Sequence, residues 1–130
     1  MILVDTSAWV EYLRGTGSAE AVALRQLLRS DLSVACCDPI RMEVLAGARD
    51  ARHLAELRGL LGRAQTLPVL GVDYEAAAAY ARTCRAAGVT VRSLVDCLIA
   101  AVAIRSGVPL LHRDEDFTAL AAVTPLAVAR

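Results

Sequence analysis

The chain contains no lysine. All 14 of its basic residues are arginine, and 14 acidic residues balance them to a net charge of zero. That absence excludes a Schiff-base enzyme, a P-loop nucleotide site and a receiver domain, each of which needs a lysine beside its reacting group. Histidine is scarce too: His53 and His112 are too few for a His-rich zinc centre. The four cysteines, Cys36, Cys37, Cys84 and Cys97, lack CxxC spacing and sit among apolar residues, so small buried thiols in a reducing compartment are expected. Long apolar runs are missing as well. Composition is 56% hydrophobic with mean hydropathy +0.47, yet runs such as 98–104 are closed by a charge, short of the roughly 18 residues a membrane span needs. A strand pattern opening at residue 2 leaves no space for a secretory leader, which points to a cytoplasmic protein. With no repeat, linker or low-complexity tract, residues 1–130 read as one domain, long enough to bury a core. Neutral overall charge neither advertises nor forbids nucleic-acid binding, because the local placement of arginine matters more than the sum.

What is present alternates strand and helix. Residues 2–5 form a short apolar strand ending in a carboxylate. Thr6 or Ser7 can cap a helix to about Arg14, and 19–29 repeat an amphipathic helical pattern. Residues 32–36 are strand-like. Asp38 followed by Pro39 opens a helix that carries Glu43 and ends near Gly47. A further helix covers 51–62, and 67–70 read as a strand. Asp73 caps an alanine-rich helix over 74–87, with Gly88 as its stop. Ser93 with Asp96 resembles a capping box before a helix over 94–105 that is apolar nearly all round and therefore central. Residues 109–111 form a buried strand, 114–120 a short helical turn, and 126–128 an edge strand. This order predicts an α/β fold with a mainly parallel central sheet flanked by helices on both faces.

Carboxylates fall at unusual places in that pattern. Asp5 ends an apolar strand, Asp96 opens the most apolar helix, and Asp114 and Asp116 follow the "VPLL" strand. The carboxyl ends of parallel strands share one edge, where ligands bind, so these acids converge there, and Glu43 can join them from the helix after the second strand. Taken singly, each is a cap, a turn residue or a solvated charge. Together they would repel one another unless a hard divalent cation such as Mg²⁺ or Mn²⁺ neutralises them through oxygen ligands.

Three segments carry a resemblance: "ILVDTSAWVEYLRG", "RMEVLAG" and "LVDCLIAAVAIRSGVPLLHRDEDF". In order, spacing and total length the chain resembles the PIN-domain ribonucleases, and within them the VapC-type toxins of type II toxin–antitoxin pairs. The resemblance implies metal-dependent endonucleolytic cleavage of RNA, transfer RNA or another structured RNA, leaving a 5′-phosphate and a 3′-hydroxyl. It matches Asp5, Glu43 and Asp96 to three acidic site positions, with Asp114 or Asp116 as the fourth. Asp5 and Asp96 would hold Mg²⁺ or Mn²⁺, and Thr6 matches a small polar position beside the first acid. Arg41, Arg92 and Arg113 lie near these acids and are candidate phosphate contacts. The resemblance also implies a VapB-type antitoxin and a toxin homodimer within a larger complex. Apolar helical faces around Trp9, Tyr12 and Leu13 and around Leu54, Leu57 and Leu61 could serve as docking surfaces. The alternative is a catalytically silent module of the same fold. A phosphatase of the haloacid dehalogenase type is excluded because Ser7 stands where its second aspartate belongs, and a dinucleotide-binding reading fails because no GxGxxG follows the first strand.

Overall fold

Four very short strands carry the fold in a computed structural model that describes residues 1–30 and 33–129. The elements run β1 (Ile2–Val4), α1 (Thr6–Arg14), α2 (Ala19–Arg29), β2 (Val34–Cys36), α3 (Asp38–Ala46), α4 (Ala51–Leu61), β3 (Gln65–Thr66), α5 (Gly71–Ala86), α6 (Leu94–Ser106), β4 (Leu110–Leu111) and α7 (Glu115–Val123). The sheet order is β3-β2-β1-β4, and all three pairings are parallel. Leu3 and Val4 are successive residues of β1, so they point to opposite faces, and neither is exposed. Both faces of the sheet are therefore covered, as a parallel sheet requires.

Two helices intervene between each strand and the next. The chain leaves β1 toward β2 on one side, and returns from β3 at the far edge to lay β4 on β1's other side. This reversal makes a crevice at the carboxyl ends of β1 and β4, the usual ligand position in an open parallel sheet. The two ends are in register there, since the Asp5 N–H donates to the Leu111 carbonyl at 2.9 Å.

α6 is the central helix. Residues 96–103 are all buried, and the alanines among them let α6 pack closely on the alanine-rich α5, its principal neighbour. Gly107 takes the left-handed conformation (φ 67°) that turns α6 into β4. All four cysteines are buried and free. Between α5 and α6, the fully buried Asp73 accepts from Arg105 Nε at 2.7 Å and from the Leu70 N–H at 2.8 Å, while Arg105 also reaches the Pro68 carbonyl.

Several expectations need correction. The third strand lies at Gln65–Thr66 rather than 67–70. Leu67 still donates to the Cys36 carbonyl, but Pro68 has no N–H with which to extend the ladder. α5 starts at Gly71, and Asp73 sits inside its first turn and reaches back to Leu70 N–H instead of standing before the helix. Asp5, not Thr6 or Ser7, is the N-cap of α1. Asp38 is the first residue of α3, after Cys37 at the cap position. Ser93 does cap α6, accepting from Val95 N–H, whereas Asp96 faces Asp116 across the site. The turn at 114–120 extends to a helix of nine residues. Residues 126–128 contribute a single parallel bridge, Leu110 to Val128. Leu32, placed at the head of the second strand, lies outside the described residues. Trp9, Leu57 and Leu61 are core residues, which removes the centres of both suggested docking faces; Leu13 alone of those six is exposed (43%).

Candidate metal centre

Each acid arrives by a different local rule. Asp5 ends β1 and caps α1, because its extended backbone lets Oδ2 turn back onto the Ser7 N–H at 2.9 Å. Ser7 Oγ donates to the same oxygen at 2.5 Å and accepts from the Arg113 N–H at 2.9 Å. The first strand's carboxylate is thereby tied to the loop after β4. Asp5 is 3% exposed. Burial pushes its pKa up, against the Ser7 bonds that favour its charge, and the Asp114 charge adds to the rise.

Asp96 stands in the first turn of α6 and is buried. Asp114 caps α7, accepting from the Asp116 N–H at 2.9 Å, and Asp116 follows in that helix's first turn, also buried. One oxygen from each of Asp96, Asp114 and Asp116 lies within 4.8 Å of the others. Asp114 and Asp116 both stand within reach of Asp96, so the geometry singles out neither. Burial drives Asp96 up to about 8, reinforced by its hydrogen bond with Asp116 and by the charges of Asp5 and Asp114. Asp116 is also raised by burial, but the bond with Asp96 and the Arg92 contacts outweigh that and leave it below the carboxylate range.

Glu43 reaches the group from α3. Its Oε1 accepts from Thr6 Oγ1 at 3.0 Å. Partial burial and the charges of Asp5 and Asp114 raise its pKa against the Thr6 bond. Glu43 thus feels both Asp5 and Asp114 while remaining the most exposed of the five acids.

The three arginines are placed differently. Arg92 lies on the cluster: its N–H donates to Asp116 Oδ2 at 3.0 Å, Nε is 3.4 Å from Asp116 Oδ1, and an Nη is 3.7 Å from Asp114. Arg113 instead bridges Glu11 of α1 at 3.3 Å and Glu20 of α2 at 3.1 Å. Arg41 pairs with Asp38 and reaches Thr66 at the end of β3. The residue that sequence reasoning missed is Ser7 as the holder of Asp5. The signal was the Asp-Thr-Ser order at a strand end, where the cap's own acceptor finds its donor two residues on.

The donor set fits a hard divalent cation. It is all oxygen, Asp96 and Asp116 are buried with Asp114 partly so, and it carries more negative charge than Arg92 can balance. Two oxygens bound to one cation at about 2.1 Å stand at most about 4.2 Å apart, close to the spread found among Asp96, Asp114 and Asp116. The Asp5 charge acts on Asp96 and Asp114, but Asp5 is not one of the three whose oxygens meet.

The family model described as PIN domain matches residues 2–123. A protein named ribonuclease VapC11, from Mycobacterium tuberculosis, is 50% identical over 131 residues, covering 99% of this chain and 98% of that one. Ribonuclease VapC18 of the same organism is 34% identical, with 93% and 88% covered. Among solved structures, VapBC2 from Rickettsia felis, bound to a DNA fragment from its promoter, aligns with a TM-score of 0.79 at 16% identity, covering 99% and 98%. M. tuberculosis VapC20, described as a sarcin-ricin loop cleaving toxin, aligns at 0.70 and 21% identity, covering 92% and 94%.

Proposed function

Because the chain belongs to the PIN domain family, we propose that it is the toxin of a type II toxin–antitoxin pair, an endoribonuclease dependent on a divalent metal, Mg²⁺ or Mn²⁺. One observation carries the reading: carboxylate oxygens of Asp96 in α6 and of Asp114 and Asp116 at the start of α7 come within 4.8 Å of one another, and among the described residues Arg92 is the arginine paired with them.

Asp5 and Asp96 would hold the cation, and Asp114 and Asp116 would complete the pocket. A cation there supplies Lewis acidity toward water and toward a phosphoryl oxygen. Ser7 fixes Asp5 by two hydrogen bonds, so that carboxylate needs no reorganisation when it binds. Glu43 accepts the proton of the attacking water. Its raised proton affinity suits the task, and Thr6 aims its carboxylate. Arg92 exchanges its carboxylate partners for a phosphate when RNA arrives, since its planar fork serves either anion. Arg113 and Arg41 serve as further phosphate contacts, Arg113 by leaving Glu11 and Glu20 and Arg41 by leaving the exposed Asp38. No nucleophilic side chain is required.

The reading includes a cytoplasmic location, a VapB-type antitoxin and a toxin homodimer, with docking through exposed apolar side chains such as Leu13, Val72 and Tyr74. The test is cleavage of total cellular RNA by partner-free protein with Mg²⁺ or Mn²⁺, against EDTA and against Asp96→Asn. Discrete fragments that need the metal and vanish in the variant are expected. Full activity in both Asp5→Asn and Asp96→Asn would overturn the ligand assignment.

A further inference from the structure

Beside the acidic cluster, on the far side of Arg92, lies a second concavity. It has a volume of about 400 Å³ and lies between α5, α6 and the loop that joins them. Its floor is apolar, with Ala81, Cys84 and Cys97. Val89 and Leu94 form its walls, and Arg85, Thr90, Arg92 and Ser93 bring guanidinium and hydroxyl groups to the rim. Among the described residues, no carboxylate lines it. Leu94 is 70% exposed, two residues before Asp96. A side chain that apolar, left in water on the first turn of the central helix, is a cost the fold could avoid with any polar residue.

The concavity and the acidic cluster are mechanically joined. The Arg92 N–H is fixed on Asp116 at 3.0 Å, and its guanidinium points to Asp114 and Asp116. Arg92 is therefore a wall shared by both. A phosphate held by Arg92 at the metal centre leaves the next sugar and base at the mouth of the concavity.

Resting on the ribonuclease reading, we propose that this concavity is a nucleotide subsite, seating the nucleotide that adjoins the scissile phosphate. The base lies against Leu94 and Val89. Arg85 meets the ribose-phosphate backbone or stacks on the base, as guanidinium planes do in recognition of single-stranded RNA. Thr90 and Ser93 offer hydroxyls to the base edge. The volume falls in the range of small-ligand sites, about 300–1,000 Å³, and polar and apolar groups share the lining. This subsite reads the base beside the cut, which the metal centre, contacting only phosphate, has no means to do.

The test has two arms. In the first, metal-free full-length protein is titrated with the four nucleoside monophosphates, and with inorganic phosphate alone, while backbone amides are followed by NMR. The expected result is that at least one nucleotide shifts the amides of Cys84, Val89 to Leu94 and Cys97, that phosphate alone does not reproduce the shifts at the floor, and that Arg85→Ala weakens binding about tenfold, the effect of one charge-assisted contact. Shifts confined to the acidic edge, or none, would overturn the proposal. In the second arm, cut sites are mapped on a randomised RNA pool for wild type, Leu94→Ala and the floor-filling Ala81→Leu, with Mn²⁺ binding measured by calorimetry on each. Unchanged Mn²⁺ binding together with a changed base preference on one side of the cut is expected. An identical cut-site profile in both variants would refute the subsite while leaving the nuclease intact. If Leu94→Ala left RNA cleavage untouched and weakened only antitoxin binding, Leu94 would belong to a protein interface instead. If wild type cut no RNA at all, the ribonuclease reading would fail, and the nucleotide titration would still decide whether the concavity binds nucleotides.

Discussion

Replacing Asp96 with asparagine should abolish cleavage and yet stabilise the metal-free protein, increasingly so as pH rises. Asp96 is 7% exposed and shares its space with Asp114 and Asp116. Burial and these neighbours push its pKa up to about 8, whereas in the unfolded chain it ionises in the ordinary range near 3.9. Between those limits the metal-free native state binds a proton that the unfolded state has lost. The contribution is therefore fully present below the unfolded value and is lost as pH rises through the folded one. Its slope is at most about 1.4 kcal/mol per pH unit. Asparagine has nearly the shape of the protonated acid and cannot ionise, so the variant lacks this slope. The difference between variant and wild type cancels all other titrations and should grow by up to about 4 kcal/mol from pH 5 to pH 8. At roughly 3–6 °C per kcal/mol for a chain of this size, that is on the order of 10 °C in Tm. The assay is thermal unfolding of EDTA-treated wild type and Asp96→Asn from pH 5 to 9 at constant ionic strength. Saturating Mn²⁺ should raise the wild-type Tm most at high pH, since the ion replaces the proton, and should leave the variant almost unmoved. A difference in Tm that does not vary with pH would refute the argument, because it would mean that Asp96 titrates alike in the folded and unfolded chains.

Arg105→Ala strands the fully buried Asp73 without its cation and should cost about 3–5 kcal/mol, measured by urea unfolding at pH 7. The same pair sets acid sensitivity. Burial raises Asp73, but the Arg105 and Leu70 bonds outweigh it and hold its pKa below the usual range. The stability this supplies is present above the ordinary carboxylate range and disappears as pH falls through the depressed value; in Arg105→Ala that acid-limb loss should shrink. Ser7→Ala removes one of two donors to Asp5, a charge-assisted bond, and should weaken Mn²⁺ binding measurably by calorimetry while costing about 1.5–3 kcal/mol of stability. Arg113→Ala breaks only half-exposed pairs with Glu11 and Glu20, so its Tm should change by less than about 1 kcal/mol equivalent, and a larger loss would show that the pairs tie α1 and α2 together.

Much of this protein is determined locally and was legible in the chain. Apolar runs ending in Asp5 and before Asp114 announce buried strands, because a strand covered on both faces must be apolar on both. Residues 96–103 announce a central helix, because only a helix buried all round can be apolar all round. Asp5, Asp96 and the Asp114/Asp116 segment stand at strand ends and helix starts, and every parallel sheet gathers those points at one edge. Local patterns failed where a tertiary partner decided the outcome. Asp73 looked like a cap before a helix, but it lies inside the first turn because Arg105, 32 residues later, meets it there. The third strand moved to Gln65–Thr66 because register with β2, and Pro68 beyond it, left no other pairing. Trp9, Leu57 and Leu61 read equally well as docking faces or as core, since periodicity shows which side of a helix is apolar and not what covers it. Arg92 and Arg113 look alike in the sequence, each a few residues from an aspartate. Only the fold laid one on the acidic cluster and gave the other to Glu11 and Glu20, because which charges meet depends on distances that close when separate elements pack.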